Sequence, residues 1–246
     1  MTAFVLIHGG GTTGRFWDRL LDHLPGPALA PDLPGRGAHP RPIAELTVVG
    51  GSASVLEDVA AWGVDDDLVV VAHSSGGLFT PGVVAGLRDR VRAVVLNAAS
   101  VPPEGGGGIE CMKARHREGL ELAMQISRES GQPIDTGQPK TDPEVYRDAY
   151  GGRPLTDDEC AFVADPARSV TDSVDVYFQP VHWSLVDVPV TYLVNDHDRP
   201  TPRELQLEMA GRLPGRSTIR HLDSGHVPAV TMPDVLAAEI ATAVAR

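Results

Sequence analysis

Residues 68–78 read Leu-Val-Val-Val-Ala-His-Ser-Ser-Gly-Gly-Leu, and this run constrains the chain more than any other. Leu68 to Val71 are apolar and mostly β-branched, as in a short strand buried on both faces. Small residues then flank two serines before an apolar segment resumes, which predicts a strand, a tight turn and a helix. Ala72 and Gly76 stand two residues before and after Ser74, where a sharp turn tolerates only small side chains. Gly77 gives the helix further room against the strand. Alone, the pattern fits a plain βα loop as well as a turn that presents the Ser74 hydroxyl, so the rest of the chain must decide.

Other strands are read in the same way. Phe4 to Ile7 is a short apolar strand running into His8-Gly9-Gly10-Gly11, and residues 15–24 follow with helical spacing. That glycine loop lacks the Gly-Lys-Ser/Thr ending of a phosphate loop, and no dinucleotide fingerprint accompanies it. Its alternative use is as a source of unobstructed backbone amides. Residues 28–31 form a brief strand, with Asp32, Arg36 and His39 read as loop-fixing groups in the Pro- and Gly-rich turn after it. A helix is expected over 46–62 and a buried strand over 91–96. Alternating strands and helices predict a parallel sheet of about six strands covered on both faces.

From Pro102 the rhythm breaks. Residues 101–187 open with a run of four glycines, Gly105 to Gly108, and carry helical segments near 109–128, 143–150 and 156–163 with almost no strand pattern. They read as a helical lid inserted before the penultimate strand, hinged at its glycines. Residues 188–195 then resume the sheet, residues 204–213 are helical, 217–222 form the last strand, and 234–244 the last helix. The division expected is a core of 1–100 and 188–246 with a lid of 101–187.

With 246 residues the chain is long enough for one large core. A net charge of −12 argues against a polyanionic partner such as nucleic acid or an acidic membrane. Two cysteines, Cys111 and Cys160, have neither metal-ligand spacing nor the density of a disulfide scaffold, so free thiols in a cytoplasmic setting are expected. No signal peptide or membrane-spanning run is evident.

Acyl transfer from a serine needs a histidine to take its proton and a carboxylate to fix that histidine's tautomer. Ser74, the Asp196/Asp198 loop and His226 each follow a strand, so a parallel sheet would deliver all three to the same end. This Ser-Asp-His order, with the elbow at Ser74 and the His-Gly loop upstream, resembles the α/β-hydrolase superfamily over essentially the whole chain. The missing pair of leading strands is similar to the small esterase, methylesterase and hydroxynitrile lyase group. The resemblance implies an α/β-hydrolase fold without cofactor or metal, with Ser74 as nucleophile and His226 as general base. It places Asp198 as the acid ahead of its alternative Asp196. Backbone amides of Ser75 and Gly10 would hold the oxyanion, with Gly11 as the fallback. Hydroxynitrile lyases of the group carry a lysine where Val227 stands, and dehalogenases and epoxide hydrolases attack with aspartate, so both chemistries are disfavoured. An ester or lactone of a small molecule is the expected substrate.

Other assignments are weaker in kind. His182 and Trp183, near the end of the lid, are candidates either for substrate contact or for anchoring the lid. His8 and His73 are expected to support their turns, and Tyr150 and Met124 either line the pocket or, the favoured reading, pack on helical faces. The alternative function is a non-hydrolytic binding protein or a pathway cyclase or lyase on the same fold. A homodimer is compatible with the sequence, which does not specify an oligomeric state.

Overall fold

The computed structural model describes residues 1–42, 46–64, 67–137, 139–215 and 217–244. Six parallel strands, β1 (Ala3–Ile7), β2 (Ala28–Leu29), β3 (Leu68–His73), β4 (Val91–Asn97), β5 (Val190–Asn195) and β6 (Ser217–Leu222), form one sheet in the order β2-β1-β3-β4-β5-β6. Its central strands are mostly apolar because both faces are covered. Alternate residues of β1 and β3 divide between two cores. Val5, Ile7, Val70 and Ala72 pack on one side and Phe4, Leu6, Val69 and Val71 on the other.

The first core is closed by α2 (Val48–Trp62), α3 (Thr80–Leu87) and α6 (Arg203–Ala210). The second is closed by α1 (Asp18–Leu21), α7 (Pro228–Thr231) and α8 (Pro233–Val244), with Cys160 from α5 (Asp157–Ala164) of the insertion added to it. At the edge, β6 exposes every second residue, as expected of a strand with one free side.

Between β4 and β5 the chain forms α4 (Ala114–Ser130), α5 and several short 3₁₀ turns. The expected helix over 109–128 is split: a 3₁₀ turn at Gly108–Cys111 ends at extended Met112, and α4 starts only at Ala114. Residues 143–150 make a 3₁₀ turn and irregular turns rather than a helix. The helix expected over 15–24 is likewise a 3₁₀ turn, Gly14–Trp17, followed by the single turn of α1. No helix among the described residues is long and apolar enough to cross a membrane.

The glycine run at the start of the insertion has a different use from the hinge expected of it. Gly105 donates to the Val181 carbonyl at 2.9 Å, and Val181 donates back to Gly106 at 2.9 Å. A Cβ on Gly107 would lie 2.6 Å from the Tyr177 carbonyl oxygen, and one on Gly108 would lie 2.8 Å from Leu78. These glycines let the two ends of the insertion pair closely and dock on the core.

The turn after β3 is held just as closely. A Cβ on Gly76 would lie 2.6 Å from the Ile7 carbonyl oxygen and 2.7 Å from that of His8. Gly76→Ala is expected to destabilise the protein by about 1–3 kcal/mol through overpacking against rigid backbone. At Gly63, whose φ is +74° with nothing within 4 Å, alanine should cost only the ~1 kcal/mol of a left-handed residue. Urea unfolding of the two variants compares them directly; an equal or smaller loss at Gly76 would contradict the crowding argument.

Candidate active site

Ser74 leaves β3 with φ at 52°, in the left-handed region that a side chain adopts at a cost of about 1–3 kcal/mol. Neighbouring strands hold it there. Its carbonyl accepts from the Ser100 amide at 2.8 Å, beyond the end of β4. A Cβ on Gly9, just beyond β1, would come within 2.9 Å of the Ser74 Cβ. Ser74 begins a 3₁₀ turn, Ser74–Leu78, whose first amides have no acceptor within the turn. The Ser75 N–H is one of these.

His226 approaches from the loop after β6. Its Nε2 stands 3.2 Å from Ser74 Oγ, and its Nδ1 stands 2.6 Å from Asp198 Oδ2. A carboxylate can only accept, so Nδ1 carries the proton and Nε2 faces the serine hydroxyl as an acceptor. Asp198 Oδ1 accepts from the Thr201 amide at 2.7 Å, which fixes the carboxylate within its own loop. Asp196 is turned elsewhere: its carboxylate meets Arg203 at 2.9 Å and His221 at 2.8 Å, and these partners hold it below the usual carboxylate range against a desolvation penalty that acts upward.

The loop after β1 completes one side of the site. Gly10 lies beside Ser75, where a Cβ would meet Ser75 Oγ at 2.9 Å. The Gly11 amide donates to Asp172 Oδ2 at 2.9 Å. It is therefore committed, whereas the Gly10 amide meets no acceptor among the described residues.

Two buried histidines support these loops. His8 accepts from the Leu33 amide on Nε2 and donates from Nδ1 to the Gly9 carbonyl, so it is neutral. Burial, then the nearby Arg36 charge, lower its pKa to about 4. His73 donates to the His226 carbonyl at 2.7 Å and stacks on Phe16 with ring centroids 4.7 Å apart. Burial, then the neighbouring His226, push its pKa well below the ordinary value.

A cavity of about 350 Å³ opens over Ser74, and Phe16, Tyr146, Tyr150, Phe162, Val163 and Val170 give it an apolar, ring-rich wall. A second chamber of about 320 Å³ shares Gly10, Ser74 and His226 and continues past Ser75, Asp172, Tyr177 and Thr201, so its lining is more polar. Tyr150 is a wall residue as well as a packing one. Its ring stacks over His226, and its carbonyl accepts from the amides of His226 and Arg199. Met124 is buried in α4 away from both chambers.

Neither His182 nor Trp183 lines either chamber. Trp183 is buried in the core with α2 and α3, and His182 pairs with Glu104 at 3.0 Å on the exterior. Both anchor the end of the insertion. A larger cleft of about 690 Å³ lies behind the His226 loop, between Arg153, His197 and Asp223, and holds none of Ser74, His226 or Asp198. Among the described residues no group of three or more His, Cys, Asp or Glu side chains is placed to hold a metal ion.

Four supporting side chains complete the site, and three of them had no recognised signal in the sequence. Gln206 of α6, fully buried, accepts from the Asn195 amide and donates to the carbonyls of Asn195 and Thr201, bracing the Asp198 loop. Arg36, Asp172 and Tyr177 gather beneath Gly11. Only Arg36, a charge inside a Pro-Gly turn, stood out as a loop-fixing residue.

The model of the alpha/beta hydrolase family matches residues 4–239. Lipase LipV of Mycobacterium tuberculosis (strain ATCC 25618 / H37Rv) is 38% identical over 100 residues, 40% of this chain and 38% of that protein. Esterase PIR7B of Oryza sativa subsp. japonica is 33% identical over 148 residues, 54% of this chain and 55% of that protein. The matched stretches thus span about half or less of these relatives' lengths. An extracellular alpha/beta-hydrolase from a Paenibacillus species has the same fold, with a TM-score of 0.72 at 21% identity over 99% of both chains.

The two neutral histidines set a pH dependence. Unfolded, each titrates near 6.5; folded, His8 titrates near 4 and His73 well below 6.5. Between these limits the unfolded chain binds more protons, so stability is complete above about pH 6.5 and falls as the pH drops towards 4. Urea unfolding at pH 7 and pH 5 should differ by about 1–2 kcal/mol per buried histidine. His8→Gln should reduce this difference, and equal stability of the unsubstituted protein at the two pH values would contradict the assignment.

Proposed function

Given that the chain belongs to the alpha/beta hydrolase family, we propose that it is a serine hydrolase that cleaves a carboxylic ester or lactone of a small molecule. The observation that supports this most is the chain of contacts from Ser74 Oγ through His226 to Asp198 Oδ2, with the serine on a strained turn at the mouth of a cavity. The names of the lipase and esterase relatives support the same reading.

In this mechanism Ser74 Oγ attacks the substrate carbonyl while His226 Nε2 takes its proton. Asp198 keeps Nδ1–H in place and stabilises the imidazolium. The amides of Gly10 and Ser75 donate to the oxyanion as it forms. Collapse of the tetrahedral adduct breaks the bond to the leaving oxygen, which receives the proton from His226, and leaves the acyl group on Ser74. Water then repeats the cycle, with His226 as base, and releases the acid. No cofactor is required. Residues 101–187 act as the cap that walls the cavity, and a cytoplasmic location accords with the free, buried Cys111 and Cys160. A pure binding protein would have no use for the hydrogen bond between His226 and Ser74.

Ser74→Ala should lower kcat by roughly four or more powers of ten on an activated ester and abolish fluorophosphonate labelling. Asp198→Asn should cost roughly 10⁴-fold, because the histidine would lose its tautomer. Asp196→Asn should cost less than about threefold, since a surface ion pair contributes little. Near-normal hydrolysis by Ser74→Ala, or a larger loss at Asp196 than at Asp198, would overturn these roles.

The ring-lined chamber favours an aromatic or branched apolar group on one side of the ester. A phenyl-bearing ester should therefore have a higher kcat/KM than the corresponding acetate. Val163→Trp, which fills that chamber, should lower kcat/KM for the phenyl ester by roughly 10-fold more than for the acetate. Equal losses on both substrates would count against this placement.

A further inference from the structure

The Gly9-Gly10-Gly11 loop has no side chains to hold its amides in place, yet an oxyanion donor acts only if its direction is fixed beforehand. One buried ion pair supplies what the missing side chains cannot. Arg36, from the turn after β2, and Asp172, from the insertion, pair at 2.5 Å with side chains 0% and 5% exposed. The pair grips the loop at two successive points: Asp172 Oδ2 accepts from the Gly11 amide at 2.9 Å, and Arg36 Nη1 donates to the Thr12 carbonyl at 2.9 Å. The same carboxylate oxygen accepts from the Tyr177 hydroxyl at 3.3 Å, and the Tyr177 hydroxyl, Asp172 Oδ2 and the Ser75 hydroxyl converge on Gly10, where a Cβ would meet them at 2.5, 2.7 and 2.9 Å. One carboxylate thus reaches both halves of the oxyanion site, through Gly11 on one side and through Tyr177 on the other.

We propose that Asp172, held by Arg36, is a positioning residue that fixes the Gly10 and Ser75 amides for the oxyanion, so that this site is complete only when the insertion is docked. The proposal rests on the hydrolase reading above. A buried ion pair is weak evidence for stability in itself, because desolvation offsets much of the attraction. Its geometry accounts for it better: it ties three separate segments around a loop made of glycine.

The test compares the unsubstituted protein, Ser74→Ala, the isosteric Asp172→Asn, and an apolar replacement of the pair, Arg36→Met with Asp172→Leu. For each, kcat and KM on an activated acetate ester, Tm, and the Ki of a trifluoromethyl ketone are measured. That ketone forms an oxyanionic adduct on the serine. Asp172→Asn is expected to lower kcat roughly 10- to 100-fold and weaken the ketone by a similar factor, with KM within about twofold. The apolar pair is expected to recover Tm without recovering kcat, since replacing a buried pair by hydrophobic residues is often neutral for stability. If kcat returned with Tm, the pair would be only structural and the proposal would fail. It would also fail if Asp172→Asn kept full kcat and ketone affinity, and this variant alone decides if the apolar pair does not fold. Hydrolysis that survives in Ser74→Ala would instead overturn the hydrolase reading, and the positioning role with it.

Discussion

Everything at the site depends on one strained backbone position. Ser74 turns into the left-handed region at the end of β3, and the parallel register of β1, β3 and β4 keeps it there. Gly76 lies against the carbonyls that end β1, Gly77 lies against Ser100 beyond β4, and the Ser74 carbonyl takes the Ser100 amide. The sheet is buried on both faces, so a slip in register would exchange the side chains of two close-packed cores. The apolar strands and the placement of the hydroxyl are therefore one constraint.

Around that turn, charge is admitted sparingly and always with a partner. His8 and His73 are buried as neutral rings, each using its hydrogen bonds to hold a loop. Asp198 is enclosed by His226 and its own Thr201 amide, while Gln206 braces the backbone on both sides of it. Arg36 and Asp172 neutralise each other beside Gly11. Unpaired, any of these groups would carry a large desolvation penalty in so dry a setting. Paired, they hold the loops around the serine in fixed positions, and fixed hydrogen-bond donors are what stabilisation of a developing oxyanion requires.

How much of this could be read from the sequence follows from where each signal lives. The strands before Ser74, Asp198 and His226 carry their own apolar pattern, and the turns after them announce themselves through small residues, so both the sheet and the three side chains at its end were legible. Arg36 and Asp172 are 136 residues apart and meet only in the folded chain, so no local pattern marks Asp172. Gln206 looks like any polar residue on a helix until Asn195 is placed beside it. His182 and Trp183 stand near the end of the insertion, where sequence leaves substrate contact and anchoring equally open, but Trp183 supplies core packing and His182 a surface contact with Glu104. The glycine run at 105–108 signalled freedom of the chain, whereas close approach to Tyr177 and Leu78 is its use. Glycine composition alone does not separate the two.

The central claim is that Ser74 carries a covalent acyl group during turnover. Mixing the protein with excess p-nitrophenyl acetate, quenching in acid within the first turnover and mapping the peptides by mass spectrometry tests this directly. An acetyl group confined to the Ser74 hydroxyl and absent from Ser74→Ala is expected, at an occupancy set by the ratio of acylation to deacylation rates. Hydrolysis by Ser74→Ala at the unsubstituted rate, or an acetyl group on another side chain that turns over at the catalytic rate, would contradict it.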